Sequence, residues 1–207
     1  MRIIIGLLSV FALSMGCAPK TYHFSLSSVA PKPAGLMMAK KNRYPLYLVL
    51  DPQRMPAEWT FKNARGDTAV LGDFGQFVKR DLKNALGQYF REVKVVASVP
   101  DAPGPHWAAD VQVDRVEQVR LVRGPLTYLP MQMKWQFALR GHQAEDYVFT
   151  YGGTATSLDT YRDIPEGAKQ TVEAAIESLT KAMVDKGVLK ALRAAEESGQ
   201  PPAPLEI

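Results

Sequence analysis

The residues of this chain that could act as nucleophile, base or metal ligand are few and widely spaced. In 207 residues there is one cysteine, Cys17, and there are three histidines, His23, His106 and His142. No histidine has a second histidine or a cysteine at helical or turn spacing, and neither HExxH, a CxxC pair nor the carboxylate ladder of a calcium loop occurs, so no metal site is expected. A GxSxG elbow, a glycine-rich phosphate loop and GxGxxG are missing as well. Asp110, Gln112 and Asp114 alternate and could present two carboxylates on one strand face. With Arg115, Arg120 and Arg123 close by as counter-charges, the pattern reads as a solvated face. The expectation is a protein that is not an enzyme and takes no cofactor.

Cys17 has the most informative surroundings. Met1-Arg2 is followed by an apolar run from Ile3 to Leu13 and small residues to Gly16. That is the layout of a secretory signal, and the run is shorter than the roughly 20 residues a spanning helix needs. Leu13-Ser14-Met15-Gly16-Cys17 resembles the lipobox of bacterial lipoproteins, with its leucine one residue further from the cysteine than usual. The resemblance implies that Cys17 becomes the mature N-terminus, carrying diacylglycerol on sulfur and an acyl group on nitrogen. Two or three acyl chains, at about 0.8 kcal/mol per buried methylene, hold a protein stably on a membrane. Cleavage by ordinary signal peptidase, leaving a free domain, is the alternative.

Removing residues 1–16 leaves 191, the size of one domain with tails, and takes the net charge from +4 to +3. Basic and acidic residues are interspersed, so nucleic acid is not an expected partner, while anionic lipid is a weak one. With a single cysteine no internal disulfide can form, and the core alone must hold the domain.

Residues 17–43, rich in Pro, Ser, Lys and Ala, read as a tether with a short strand at Thr21–Leu26. About 20 flexible residues would reach roughly 25 Å. The domain proper is expected over 44–197, with a loose tail at 198–207. Tyr44–Leu50 is a strand apolar enough to be central in its sheet, and Pro56–Leu71 suits a hairpin around Arg65-Gly66-Asp67. Phe74, Phe77, Val78, Leu82, Ala85, Leu86 and Tyr89 make one helical stripe over Asp73–Phe90, with Asp73 as N-cap and Gln76 completing a capping box. Val93–Val96 is the next strand, completing a βαβ pattern.

Ala109–Arg123 is expected as a long strand whose phase needs a bulge near Arg115. Met131, Met133, Trp135, Phe137 and Leu139 alternate strictly with polar neighbours or alanine, and Tyr147, Phe149 and Tyr151 alternate in the strand after, ended or bent by Gly152-Gly153. Three successive strands joined by turns predict an antiparallel meander. Ala168, Val172, Ala175, Ile176, Leu179 and Met183 stripe a second helix, with Pro165 in its first turn and a stop or kink at Gly187. One apolar stripe per helix and one apolar sheet face give an α+β two-layer sandwich, mostly antiparallel, with both helices on one face.

Two further candidates follow. Leu121–Pro130 is unusually apolar for a turn, which makes Leu126, Tyr128 and Leu129 a candidate contact for a partner protein or membrane. Trp135, Tyr147 and Phe149 are expected to pack as core. The alternative is an apolar groove between sheet and helices, receiving a lipid or cell-wall fragment.

The order of elements behind the lipobox-like segment resembles the small α+β lipoproteins of the Gram-negative envelope. That group includes the YajG-like lipoproteins, the lipopolysaccharide-assembly lipoprotein LptE and the auxiliary lipoproteins of lipid-transporting ABC systems. The resemblance implies a periplasm-facing, lipid-anchored accessory or assembly component of an envelope complex. Ala18, standing where an aspartate would retain such a protein at the inner membrane, implies delivery to the outer membrane.

Overall fold

A computed structural model of the chain describes residues 19–26, 40–99, 104–123, 125–141, 146–159 and 163–200. Its main sheet has five strands in the order β10-β9-β6-β2-β5. These are β2 (Leu46–Val49), β5 (Val93–Val96), β6 (Trp107–Gln118), β9 (Pro130–Gly141) and β10 (Tyr147–Asp159). A second sheet orders β1 (Thr21–Ser25), β4 (Thr68–Gly72) and β3 (Trp59–Lys62) as β1-β4-β3, and β7 (Leu121–Arg123) pairs with β8 (Leu126–Tyr128). Among the described residues three helices complete the α+β fold: α1 (Phe74–Leu86), α2 (Ile164–Asp185) and α3 (Val188–Ser198).

The meander is present: β6, β9 and β10 pair antiparallel in that order. β2 lies inside the sheet, parallel to both β5 and β6, so the strands flanking α1 pair directly. Half of the main sheet's pairings are therefore parallel. Burial explains this, because a strand covered by neighbours on both edges and a layer on its face can be apolar almost throughout, as Leu46, Tyr47 and Leu48 are.

The inner face carries Trp107, Ala109, Val111 and Val113 of β6 against Leu139, Phe137 and Trp135 of β9. Between Val113 and Arg115 the register shifts, so Asp114 is the extra residue of a bulge. Asp114 and Arg115 are both exposed, and Val116 returns to the inner face opposite Met133. The expected bulge is real. The side chain it rescues for the core is Val116, whereas Val119 is half-buried and Leu121 exposed.

α2 packs over β9 and β10 and against α1, which packs on β5, so both helices cover one face. Asp163 caps α2 by accepting from the Glu166 N–H, and Thr171, buried, donates to backbone carbonyls of Gly167 and Met131. Gly187, at φ +69°, turns the chain into α3, so the expected kink is the joint between two helices.

Several expectations differ. Asp73 precedes α1 but sits in the left-handed region at φ +58° and makes no side-chain cap; its carboxylate accepts from the Ser25 hydroxyl instead. Asp tolerates that conformation better than most residues, and the chain must turn sharply from β4 into α1 there. Gly152-Gly153 does not end β10, which continues to Asp159. A Cβ on Gly152 would stand 3.1 Å from the Trp135 carbonyl oxygen, so the missing side chain permits a close approach of β10 to β9. The short strand expected at Thr21–Leu26 is β1, and what differs is its place: it pairs parallel to β4 and leads into the fully buried Leu26, so it is part of the folded domain.

Candidate functional site

Cys17 lies outside the described residues. Of the expected contact residues, Leu126 is 56% exposed, Tyr128 half-buried and Leu129 only 6% exposed. The apolar turn is in fact the β7–β8 hairpin, a continuation of the β6–β9 ribbon: the Val119 N–H donates to the Pro130 carbonyl, and Leu121 then pairs with Tyr128. At its surface stand Leu121, Leu126 and Val122, the last 64% exposed. Leu129, where the ribbon rejoins the sheet, belongs to the interior. Leu126→Asp is thus expected to leave the urea midpoint unchanged. Leu129→Asp would bury an unpaired carboxylate and should lower stability by about 3 kcal/mol or more.

The elements around the hairpin build a second feature. Asn63 accepts the Arg65 and Asp67 N–H groups through its side-chain oxygen and so shapes the β3–β4 turn, while Gln118 ties that turn to Leu129, just before β9, by accepting from the Ala64 N–H and donating to the Leu129 carbonyl. β1 begins at the same end, with the Lys20 N–H on the Asp67 carboxylate. Between these pieces lies an open cleft of about 610 Å³, with apolar walls from Tyr22, Phe24, Leu129 and Ile164. Its Asn63 and Gln118 side chains are engaged in holding backbone, and the charged Arg65 and Asp67 line it as well. The alternation of Tyr22, Phe24 and Leu26 announced the strand. Its pairing with residues more than 40 positions away carried no local signal.

The expected groove residues do not share one surface. Trp135 and Phe149 are buried in the core, with Tyr151 edge-on to Trp135 and stacked on Phe149. Tyr147 faces the other way, because the register shifts between Tyr147 and Phe149 and makes Val148 an extra residue. Tyr147, 43% exposed, donates to Asp110 Oδ2 at 3.2 Å, with Arg140 Nε 3.7 Å from the same oxygen. Partial burial, and then the Asp110 charge beside it, push the Tyr147 phenol above its ordinary range, so it stays a proton-bearing donor.

Asp114 has its own partners, the amides of Gln112 and Gln136, so the two aspartates do not act as a pair. The His106 ring lies against the Gly104 carbonyl and edge-on to Tyr47, His23 is exposed on β1, and His142 lies outside the described residues. Among the described residues no three His, Cys, Asp or Glu side chains converge as metal ligands would. A smaller groove of about 470 Å³ crosses β9 and β10 at Gly152-Gly153.

Neither a family model nor a curated protein matches this chain. Among solved structures, it is similar to a Xanthomonas campestris protein assigned to the DUF330 family, at a TM-score of 0.50 and 10% identity, covering 86% of this chain and 99% of that one. This is a likeness of fold. Looser likenesses are to a homolog of a neuraminyllactose-binding hemagglutinin from Helicobacter pylori and to a minor lipoprotein from Acinetobacter baumannii. The first has a TM-score of 0.44 and 12% identity over 80% of this chain and 96% of that one. The second has a TM-score of 0.34 and 11% identity over 78% and 96%.

Proposed function

We propose that this chain is exported, acylated on Cys17 and held on the periplasmic side of the outer membrane, where it serves as a non-enzymatic accessory or assembly component of an envelope complex. The observation that carries the reading is the only cysteine standing behind Leu13-Ser14-Met15-Gly16 at the exit of a signal-type segment. Among the described residues no helix is long and apolar enough to cross a membrane, so on this reading the acyl chains supply the attachment. Ala18 favours the outer membrane. Asn63 and Gln118 of the hairpin-end cleft, and Asp110, Asp114 and Tyr147 of the outer sheet face, are engaged in hydrogen bonds within the fold, which supports binding over catalysis.

Metabolic labelling with an alkyne fatty acid tests the anchor. Label should enter the mature chain and be lost completely in Cys17→Ala, and residues 18–207 exported behind an ordinary cleavable signal should partition into buffer. Label that persists in Cys17→Ala would refute the assignment. Crosslinking in intact cells tests the accessory role, with one reproducible envelope protein expected.

The second reading, binding of a lipid or cell-wall fragment, is favoured by the cleft walled by Tyr22, Phe24, Leu129 and Ile164, not by a groove between sheet and helices. Stoichiometric lipid retained on the purified domain, seen by mass spectrometry, would select it.

A further inference from the structure

The anchor proposed at Cys17 fixes more than location, because the folded body begins almost at once. Lys20 is already hydrogen-bonded to Asp67, and its carbonyl accepts the Thr68 N–H. Only Ala18 and Pro19 separate it from Cys17, and the three residue-to-residue steps span at most roughly 11 Å even when fully extended. Whatever end of the domain carries Lys20 is therefore held within that distance of the acyl chains, far closer than a tether of twenty residues would allow.

That end is the hairpin end. β1 starts beside the β3–β4 turn, the turn is tied to Gln118, and β7 follows three residues after Gln118. The exposed large apolar side chains of the described residues concentrate here. Leu121, Val122 and Leu126 stand on the hairpin and Tyr22 on β1; the other two, Tyr147 and Val184, lie elsewhere. A ribbon of two three-residue strands cannot bury side chains on both of its faces by itself.

Exposed basic residues lie around it: Lys20, Arg65 and Arg120. The acids nearest the cleft and at the start of α2, Asp67 and Asp163, each accept backbone N–H groups. Apolar tips, a tyrosine and a basic surround suit the boundary between acyl chains and anionic headgroups.

We propose that the β7–β8 hairpin, led by Val122 and Leu126, lies in the headgroup layer of the same bilayer that holds Cys17, so that the domain stands on the membrane at two points in one fixed orientation. This rests on acylation of Cys17. The long axis of β6 then points away from the membrane, and the end of the sheet that carries Trp107 and Arg91 is presented to the periplasm.

The test uses the full-length lipidated protein, in which the Cys17 sulfur is a thioether and does not react with thiol probes. Val122→Cys, and separately Arg91→Cys at the opposite end, are labelled with a polarity-sensitive fluorophore and reconstituted in phosphatidylethanolamine–phosphatidylglycerol vesicles. The expected result is a blue-shifted emission at position 122 and a several-fold loss of quenching by aqueous iodide relative to the unlipidated domain in buffer, with position 91 unchanged. Equal quenching at both positions, in protein whose mass shows the acyl groups, overturns the inference while leaving the anchor intact. An unmodified Cys17 overturns both. Shielding of position 122 in native membranes but not in protein-free vesicles would assign the hairpin to a protein partner and likewise overturn it.

Discussion

Deleting Gln112 is expected to leave no folded protein, whereas deleting Asp114, two positions further on, is expected to leave the fold standing. β6 is paired on both edges and its inner side chains alternate without fault from Trp107 to Val113. Losing Gln112 also removes the bulge, but the ladder that results sets Val113 opposite Gln136 on the outer face and Asp114 opposite Trp135 in the core. Exposing the valine costs about 1.5–3 kcal/mol and burying an unpaired carboxylate about 3–5 kcal/mol more, a sum that approaches the whole stability of a marginal domain. Asp114 is the bulged residue, and without it Val113 points in, Arg115 out and Val116 in, a regular ladder opposite Trp135, Lys134 and Met133. The deletion loses only exposed hydrogen bonds to Gln112 and Gln136, and should cost about 1 kcal/mol or less. Far-ultraviolet circular dichroism and urea unfolding of the two deletion variants separate the outcomes. An unfolded Asp114 deletion would show that the bend made by the bulge is itself required.

Replacing Glu196 with alanine is expected to have the next largest effect. Its carboxylate, near the end of α3, accepts three donors: the Arg43 N–H at 2.8 Å, the Tyr44 N–H at 3.1 Å and the Trp107 indole N–H at 2.9 Å. It joins the last helix to the lead-in of β2 and to the first residue of β6. The Trp107 side chain is buried, so its N–H would be left without a partner. Charge-assisted bonds contribute about 1.5–3 kcal/mol each and are not additive, so a loss of about 3–5 kcal/mol is expected for Glu196→Ala. The urea midpoint should fall by about 1–2 M. Glu196→Gln, which keeps one acceptor oxygen, should recover part of this. A midpoint unmoved in the alanine variant would show that α3 is held by Val188, Leu189 and Leu192 alone.

What was legible in the residues was whatever repeats with a local period. The stripes of α1 and α2, the alternation of β9 and the phase fault of β6 are visible because each is dictated by one face meeting one core. Pairing across the chain is not local, so neither the parallel contact of β1 with β4 nor the stitching of Arg43 and Tyr44 by Glu196 was readable. Single-residue faults were also hidden where sequence offered no broken pattern. Val148 is apolar between aromatic neighbours, so the fault that turns Tyr147 outward looks like regular alternation. Asp73 is a good cap by type, yet its backbone conformation is set by the turn out of β4.

The candidate site divides in the same way. Leu126 stood out because an apolar residue in a turn has no core to explain it, whereas Leu129 differs from it only by lying past the end of the ribbon. The cleft beside the hairpin is assembled from five separate stretches of chain and had no signature in any one of them.

The most direct test of the whole account is the intact mass of the mature protein extracted from membranes. The account predicts a chain that begins at Cys17 and is heavier than residues 17–207 by a diacylglyceryl group and an amide-linked acyl chain, with both additions on the N-terminal residue. A mature chain of unmodified mass, recovered in the soluble periplasmic fraction, would contradict it.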